Sequence, residues 1–408
     1  MITKLPFPSQ LALFGLIGLA IAANSPRPVV AAENPPMTEV ARPSGSGGYT
    51  FSSNLAIGGP NAPDEAQFFE KLGRVAVDAD AAGNIYVLDN GNLRIQVFDP
   101  SGKFLRGFGR EGEGPGEFKM PTCLSVNAKG EIALYDMMNQ RVSVLDSTGK
   151  LLRDEIMERP VRDLFLQDDG GLVLAYGGPL APKFEALDRG GKSVWKFGGE
   201  APNPDRAERV LEFNIGGAAG SLGVVGGTTY AASDQVYGIH KIEGGRMTAG
   251  FRRPFERQAM PTMADLARER RGKDDGAEEE GSGPRVVMIT REESGDGNVS
   301  TSVRAGEAGE HAIELNGADI ANLMPKFQAD LTGLLVFPDG RIWAMTSEKE
   351  GDKVVTDEWS GGGEYRRRFT LDDTYDSYEI GADGRLYGVA HDKDDFPIVH
   401  RIELKPEG

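Results

Sequence analysis

Short runs of alternating apolar and polar residues, bounded by Gly, Asp, Asn and Pro, follow one another along most of this chain. Ile85 and Val87, and then Ile95 and Val97, recur at a spacing of two, which is the side-chain period of a β-strand. Between these runs, Asp89–Asn92 contains Asn and Gly residues that tolerate the positive φ of tight hairpin turns. The pattern predicts a four-stranded antiparallel meander with strands at Val75–Val77, Asn84–Leu88, Arg94–Phe98 and Phe104–Phe108.

Part of this unit is repeated 47 residues further along the chain. Residues 84–103 and 131–150 are identical at eight of twenty aligned positions. Self-similarity at such a period indicates a repeat architecture, in which each small sheet buries its faces against copies of itself. More degenerate copies run from Asp163, Gly223, Leu334 and Tyr378. We therefore predict an all-β fold, a six-bladed β-propeller of four-stranded antiparallel blades.

The sixth copy ends after its third strand, which would leave one blade with an unpaired edge. An open edge of this kind invites edge-to-edge pairing with other chains. A strand-like segment, Tyr49–Ile57, lies before the first copy. We predict that it supplies the missing outer strand of blade six and closes the ring, so that the propeller domain spans 49–408.

The first two copies resemble NHL-repeat six-bladed β-propellers of bacterial secreted proteins. The resemblance is carried by YVLDNGNLRIQVFD at 86–99 and by GFGREGEGPGEFKMP at 107–121, a Gly-rich junction ending in Gly-x-Phe-x-x-Pro. It is specific over 72–150, looser over 160–250 and 329–404, and absent from 253–328. What the resemblance implies is a binding scaffold, recruited in some members as a lyase or hydrolase, without a fixed catalytic motif.

The stretch 253–328 interrupts the repeat. Thr262 followed three residues later by Asp265 is typical of a helix N-terminus, and Val286–Thr290 with Val299–Val303 favours a hairpin. Long insertions in compact folds are usually functional lids or disordered segments. We predict a partly helical insertion that emerges between blades four and five.

Composition and charge narrow the class of partner. The 408 residues include 55 Gly and are 39% hydrophobic, which suits many short strands joined by tight turns. The net charge of −17 argues against nucleic acid or an anionic membrane surface as the ligand. We expect a monomer that binds a protein, a peptide or a glycan.

The N-terminal residues 1–22 have the features of a cleaved signal peptide. Lys4 gives a weakly positive start, 11–22 are apolar, and Ala20-Ile21-Ala22 offers a small-x-small cleavage site. The apolar stretch is short for a membrane span, although an uncleaved signal anchor stays open as an alternative. Residues 23–48, rich in Pro, Ala, Ser and Gly, are predicted to be a flexible linker. The predicted location is the periplasm or the exterior, with no integral span after cleavage.

Cysteine and histidine offer little chemistry. Cys123, the single cysteine, lies in the innermost predicted strand of blade two and is interpreted as a small buried hydrophobe rather than a nucleophile. His240 and His400 occupy the same third-strand position in blades four and six, which are not neighbours. They therefore cannot share a zinc ion through that strand. His391 is the histidine that we place in a loop near the channel mouth.

Carboxylates and amides in the loops are the stronger candidates for ligand contact. The candidate residues are Asp89, Asn90, Glu111, Asp136, Asn139, Glu348, His391 and Asp392. Oxygen-rich loops could hold calcium, which we place near Asp136, Glu348 and Asp392. Asp and Asn are also ordinary turn formers. The alternative is therefore that Asp89 and Asp136 accept hydrogen bonds from loop N–H groups, while Arg94 and Arg141, matched with Arg401 and Lys241, lock each repeat.

Two classes of function remain open at this point. One is an exported binding scaffold that presents a loop-rich acidic face and the channel mouth to its ligand, without a cofactor. The alternative is a metal-dependent hydrolase or lyase with its site at the channel mouth. The second requires ligands from different blades to converge, and its best candidates are Glu111, Asp136, Glu348 and His391. No catalytic constellation is visible in the sequence, which favours the scaffold.

Overall fold

The chain folds into a six-bladed β-propeller. The computed structural model describes residues 37–40, 48–70, 76–176, 184–198, 222–232, 237–256, 288–293, 299–304, 330–351, 353–372 and 374–407. These residues form six antiparallel four-stranded sheets, one of which gains a fifth strand, and a separate two-stranded sheet. The predicted all-β propeller of four-stranded blades is therefore confirmed.

The strands are numbered in chain order. β1 (Thr38–Glu39) and β2 (Tyr49–Gly58) precede blade one. Blade one contains β3 (Ala76–Ala79), β4 (Ile85–Asp89), β5 (Arg94–Phe98) and β6 (Phe104–Phe108), and blade two contains β7 (Pro121–Val126), β8 (Ile132–Asp136), β9 (Arg141–Leu145) and β10 (Leu151–Ile156). Blade three contains β11 (Val161–Leu166), β12 (Leu172–Tyr176), β13 (Phe184–Leu187) and β14 (Ser193–Phe197).

The second half of the ring follows the same plan. Blade four contains β15 (Leu222–Val225), β16 (Thr228–Ala232), β17 (Ile239–Glu243) and β18 (Arg246–Arg252). A hairpin of β19 (Met288–Glu293) and β20 (Val299–Arg304) follows. Blade five contains β21 (Leu331–Val336), β22 (Arg341–Glu350), β23 (Lys353–Ser360) and β24 (Tyr365–Asp372), and blade six contains β25 (Tyr375–Ile380), β26 (Leu386–His391) and β27 (Pro397–Pro406) together with β2.

The ring is held together by apolar cores between neighbouring blades. The first strand of each blade contacts the first strand of the next, and β25 contacts β3. Successive side chains of a strand point to opposite faces, so β4 sends Val87 towards blade six and Tyr86 towards blade two. Val87 packs in a cluster with Tyr387, and Tyr86 packs in a cluster with Leu134. Burial on both faces explains why the middle strands are almost continuously apolar.

The N-terminal part of the described chain adds strands to two blades. β2 lies antiparallel to β27 from Tyr49 opposite Pro406 to Gly58 opposite Ile398, as the outer strand of blade six. β1 runs parallel to β18 on the outer edge of blade four, and the Val40 N–H donates to the Arg252 carbonyl at 2.9 Å. Residues 38–40 of the predicted flexible linker are therefore paired with a blade. The predicted signal peptide lies outside the described residues.

The insertion is described in part. The predicted hairpin pairs Met288 with Arg304 and Glu293 with Val299. The predicted helix near Thr262 lies outside the described residues. At the two ends of the insertion, the Tyr237 ring contacts the Phe255 ring with centroids 5.5 Å apart, and the Tyr237 N–H donates to Asp330 at 2.8 Å. Both described ends of the insertion therefore meet at one residue of blade four.

Candidate functional site

The loops between second and third strands and the connections between blades lie together on one face of the ring, here called the loop face. In blade one this face is organised by Asp89, whose side chain is fully buried. One carboxylate oxygen of Asp89 accepts the Phe69 N–H at 2.9 Å, and the other accepts Asn92 Nδ2 and Arg94 Nε, each at 2.8 Å. Arg94 in turn donates to the carbonyls of Asp64 and Gln67. The set fixes the connection that leads into blade one.

Blade two repeats the arrangement at the matching positions. Asp136, also fully buried, accepts the Lys119 N–H at 2.7 Å, the Met120 N–H at 3.1 Å and Asn139 Nδ2 at 3.0 Å. Asn139 also donates to the Gly112 carbonyl at 3.0 Å. Arg141 donates to the carbonyls of Glu113, Gly114 and Glu117, at 2.8 to 2.9 Å. The prediction that Asp89 and Asp136 accept loop N–H bonds is confirmed.

We call each of these sets a clamp: Asp89, Asn92 and Arg94 in blade one, and Asp136, Asn139 and Arg141 in blade two. The residue before each arginine has positive φ, 54° for Leu93 and 49° for Gln140, which turns the arginine towards the connection. Gly91 is required for close approach, since a Cβ there would lie 2.5 Å from the Phe69 carbonyl oxygen. Because a buried carboxylate is stabilised by several N–H donors, these loops are held in a single conformation.

The match of Arg94 and Arg141 with Arg401 and Lys241 is wrong. Ile85 pairs with Phe98 in blade one and Leu386 pairs with Ile402 in blade six, so the structural counterpart of Arg401 is Val97. Arg401 lies away from the loop face and donates to Asn54 and to the Pro100 carbonyl. Aligning the third strands of blades one and six by their arginines therefore displaces one strand by three positions relative to the observed pairing.

Most of the residues predicted to contact a ligand are buried or half-buried in the structure. Asp89, Asn90 and Asp136 are 0%, 4% and 0% exposed, and the carboxylates of Asp89 and Asp136 face the clamps. Asn139 is half-buried in its clamp. Glu111 is the exposed member of the eight and lies in the connection between blades one and two.

The other three candidates lie in blades five and six. Glu348 forms an ion pair with Arg368 and lies 3.7 Å from Arg253. His391 Nδ1 lies 2.5 Å from a carboxylate oxygen of Asp376. Asp392 caps its own turn by accepting the N–H groups of residues 394 and 396, each at 2.9 Å. Glu348 and Asp392 are therefore engaged by neighbouring groups, and His391 lies between Asp376 and Glu70, whose carboxylate is 3.6 Å from its Nε2.

Metal ligands do not converge in the part of the chain that the structure describes. There, no group of three or more His, Cys, Asp or Glu side chains could hold an ion. Asp136, Glu348 and Asp392 belong to blades two, five and six and are not part of such a group among the described residues. Glu111, Asp136, Glu348 and His391 likewise do not meet around one point, and the arrangement required by the hydrolase or lyase alternative is not observed among them.

Carboxylates on the innermost strands form an arrangement that sequence reasoning missed. Asp78 bridges two blades, because it accepts the N–H of Ala79 at 2.7 Å in its own blade and of Val126 at 2.6 Å in blade two. Asp163 does the same with Leu164 at 2.9 Å and Leu222 at 3.3 Å. Innermost strands have an unpaired edge facing the channel, and these carboxylates satisfy its N–H groups. The sequence signal that could have identified these residues is an acidic residue within a short, otherwise mainly apolar inner strand.

Burial, with a smaller contribution from neighbouring acids, raises the pKa values of Asp78 and Glu379. Burial raises the pKa of Asp78 to about 8, with smaller contributions from the neighbouring carboxylates of Asp383 and Asp80. Burial also raises the pKa of Glu379 well above its ordinary value, and the charges of Asp78 and Asp163 add to this. The pKa of the Cys123 thiol rises to about 12 for the same two reasons, burial and the charge of Asp163. A thiol of this kind is a weak nucleophile at neutral pH.

We expect the free energy of unfolding to fall as the pH rises from 6.5 to 8. A carboxyl group with a raised folded pKa keeps its proton in the native state but loses it on unfolding, at every pH between its two pKa values. Each such proton lowers the free energy of unfolding by about 1.4 kcal/mol per pH unit. Because the pKa of Glu379 is raised, Glu379→Gln should make this slope shallower, as measured by urea denaturation at several pH values.

Groups that make stability rise with pH, because folding lowers their pKa, act mainly below pH 6.5. Burial lowers the pKa of His400 below its ordinary value of 6.5, so its contribution to stability is lost only as the pH falls below that value. Asp99 and Asp146, whose pKa values are lowered chiefly by hydrogen bonds from Ser101 and Thr148, act at still lower pH. An unchanged slope in Glu379→Gln would contradict the assignment of a retained proton to this residue.

Exposed apolar side chains mark the loop face of blades one and two. In the described ranges, seven large apolar side chains are exposed. Phe69, Met137, Met138 and Ile156 lie on or beside loop-face segments, with exposed fractions of 42%, 42%, 63% and 73%. The other three, Leu105, Leu152 and Val194, lie at the bulge of the outer strands β6, β10 and β14.

Across the described ranges, no helix is both long enough and apolar enough to cross a membrane.

Comparison with known proteins agrees with the architecture. The model of a family described as a six-bladed β-propeller, DUF5128, matches residues 69–175. No curated protein is significantly similar to the chain. The matched residues cover blades one and two and the first half of blade three.

Solved structures resemble most of the chain. A Bacteroides fragilis protein described as exported is 14% identical, with a TM-score of 0.53 over 88% of this chain and 95% of that chain. A duf4221-family member from Bacteroides vulgatus is 10% identical, with a TM-score of 0.45 over 88% and 99%. Virginiamycin B lyase from Staphylococcus aureus is 12% identical, with a TM-score of 0.40 over 88% and 100%. The last two carry no inference, and the first supports the propeller fold alone.

Proposed function

We propose that this chain is an exported binding scaffold that holds a protein, peptide or glycan ligand on its loop face. The observation that carries the proposal is the pair of clamps in blades one and two. Buried carboxylates and arginines are committed to fixing the backbone of connections whose outward side chains, such as Glu111, remain exposed. A surface held in one conformation loses little entropy when a ligand binds, which is how a rigid scaffold gains affinity.

The proposal includes kinship with NHL-repeat propellers and export through a signal peptide at 1–22. Two observations support the kinship. The clamp residues Asp, Asn and Arg recur 47 residues apart, and the Gly-rich junction 107–121 is the segment that the second clamp holds. The acidic net charge supports a ligand that is neutral or cationic. We expect the ring itself to be a monomer.

Photo-crosslinking can test whether the loop face is the ligand face. The full-length protein, produced in cells that naturally make it, would carry p-benzoylphenylalanine in place of Glu111 on the loop face. The matched control replaces Lys103, an exposed residue in the turn between β5 and β6 on the opposite face. We expect ultraviolet-dependent adducts, read as mass shifts, from position 111 and not from position 103. Adducts at neither position, or equal adducts at both, would contradict the proposal.

A further inference from the structure

We propose that the exposed apolar residues of blades one and two, with the acidic connections between them, form a docking surface for a cationic amphipathic segment of a partner protein. The inference rests on the proposed scaffold function and specifies the kind of partner. We call the surface formed by Phe69, Met137, Met138, Ile156 and the connection 109–120 the acidic-apolar sector.

The apolar side chains of the sector stand on rigid backbone. The Met137 N–H donates to the Met120 carbonyl at 2.9 Å, and the Met157 N–H donates to the Gln140 carbonyl at 2.8 Å, so the loop is tied on both sides. The Phe69 backbone is held by Asp89, and its ring contacts Phe396 with centroids 6.0 Å apart. Exposed apolar groups that share one face are typical of interaction surfaces, and methionine adapts its shape to a partner.

The charge of the connections indicates which kind of partner this surface would bind. The connections 64–70, 109–120 and 157–160 contain seven acidic residues against three basic residues. The clamp arginines are already engaged, Arg94 by Asp89 and Arg141 by the carbonyls of its connection. Two of the three basic residues are already paired, Arg110 with Glu117 and Lys119 with Glu113, and the third, Arg159, stacks on Tyr176. These connections therefore carry a net negative charge around the exposed apolar side chains. A second copy of this chain, with its own net charge of −17, would be repelled.

The complementary segment must offer apolar anchors and positive charge together. Apolar anchors supply most of the binding free energy, whereas opposite charges at the rim speed association and select the partner. Binding should therefore weaken when either component is removed, and it should weaken further as salt is added.

Binding of a synthetic Lys/Leu peptide to the full-length protein, followed by fluorescence anisotropy, tests the inference, with a Glu/Leu peptide of the same length as the control ligand. The double variant Met138→Ser, Ile156→Ser should bind the Lys/Leu peptide about tenfold or more weakly than the unchanged protein. The matched control is Val194→Ser, because Val194 has the same 63% exposure as Met138 but lies on the outer strand of blade three.

A second pair of variants separates local charge from net charge. Glu111→Lys should weaken binding, whereas Glu364→Lys, an exposed position in the turn between β23 and β24 on the opposite face, changes the net charge equally and should not. Equal weakening by both variants, wild-type affinity of the double serine variant, or concentration-dependent dimers in sedimentation velocity would each overturn the inference. If the peptide result is negative but residue 111 still gives crosslinked adducts, the scaffold proposal survives and the cationic partner does not.

Discussion

A chain that begins at residue 59, and so lacks β2, is expected to lose the cooperative folding of the ring. β2 provides nine paired positions along β27, and its removal would turn β27 into a long unpaired edge. It would also remove Tyr49 from an aromatic cluster in which its ring lies 5.2 Å from both Trp343 and Phe369. Losing the burial of Tyr49, Phe51 and Ile57 alone removes several kcal/mol, a large part of the roughly 5–15 kcal/mol that stabilises a typical protein.

The matched control is a chain that begins at residue 48, which lacks β1 but keeps β2. The short β1 pairs two residues with the edge of blade four, so its loss should shift the melting temperature by only a few degrees. Thermal melts by circular dichroism and size-exclusion chromatography would compare the two. Equal stability of both truncated chains would show that closure by β2 is not required for the fold.

Alternation along the chain was sufficient to predict the elements of this fold. The repeated spacing of apolar residues around Asp89 and Asp136 places four strands in each of the first two blades, and turn residues mark their ends. The clamps were also accessible, since the same Asp, Asn and Arg recur at one interval. Their role in fixing connections follows from the fact that a buried carboxylate needs several donors.

Contacts between blades were not accessible from the sequence. The alternating pattern identifies which residues share a face but not which residue of the next blade lies opposite. Arg401 was misplaced by three positions because a basic residue was used for alignment in place of the strand pairing. Asp78 appears as an ordinary polar residue at the end of a short strand, and its bond to Val126, 48 residues away, exists only in the closed ring.

The contacts at the junction of blades four and five are those that the sequence indicates least. Strand alternation in β23 points Asp357 towards blade four and Glu358 towards blade six, where Glu358 accepts the Tyr49 hydroxyl at 2.5 Å. Asp357 accepts Arg253 Nε at 2.6 Å, the Tyr237 hydroxyl at 2.8 Å and the Tyr365 hydroxyl at 2.7 Å. A bond between residues 253 and 357 spans the whole insertion, and no local pattern indicates it.

Replacing Asp357 by Leu is expected to destabilise the protein by about 3–5 kcal/mol, because the buried Arg253 charge would lose its 2.6 Å partner and keep only the more distant Glu348 carboxylate at 3.7 Å. The side chains of both residues are 0% exposed, so water cannot replace the lost bond. Urea denaturation would measure the loss. The exposed pair Arg110 and Glu117 provides the control, since Arg110→Gln removes an ion pair of similar length whose arginine is 79% exposed and should change stability little.

A double variant tests whether the buried ion pair adds stability, or whether each charge only offsets the cost of burying the other. Combining Asp357→Leu with Arg253→Met removes both charges and fills much of the same volume, so the double variant should recover a large part of the stability that the single variant loses. The Tyr237 and Tyr365 hydroxyls would lose their acceptor, which sets the limit of the recovery. A double variant as unstable as the sum of the two single variants would show that the two charges act independently. Since Arg253 begins the insertion and Tyr237 contacts both of its described ends, recovery in the double variant would also show that apolar packing at this junction is sufficient to hold blades four and five together.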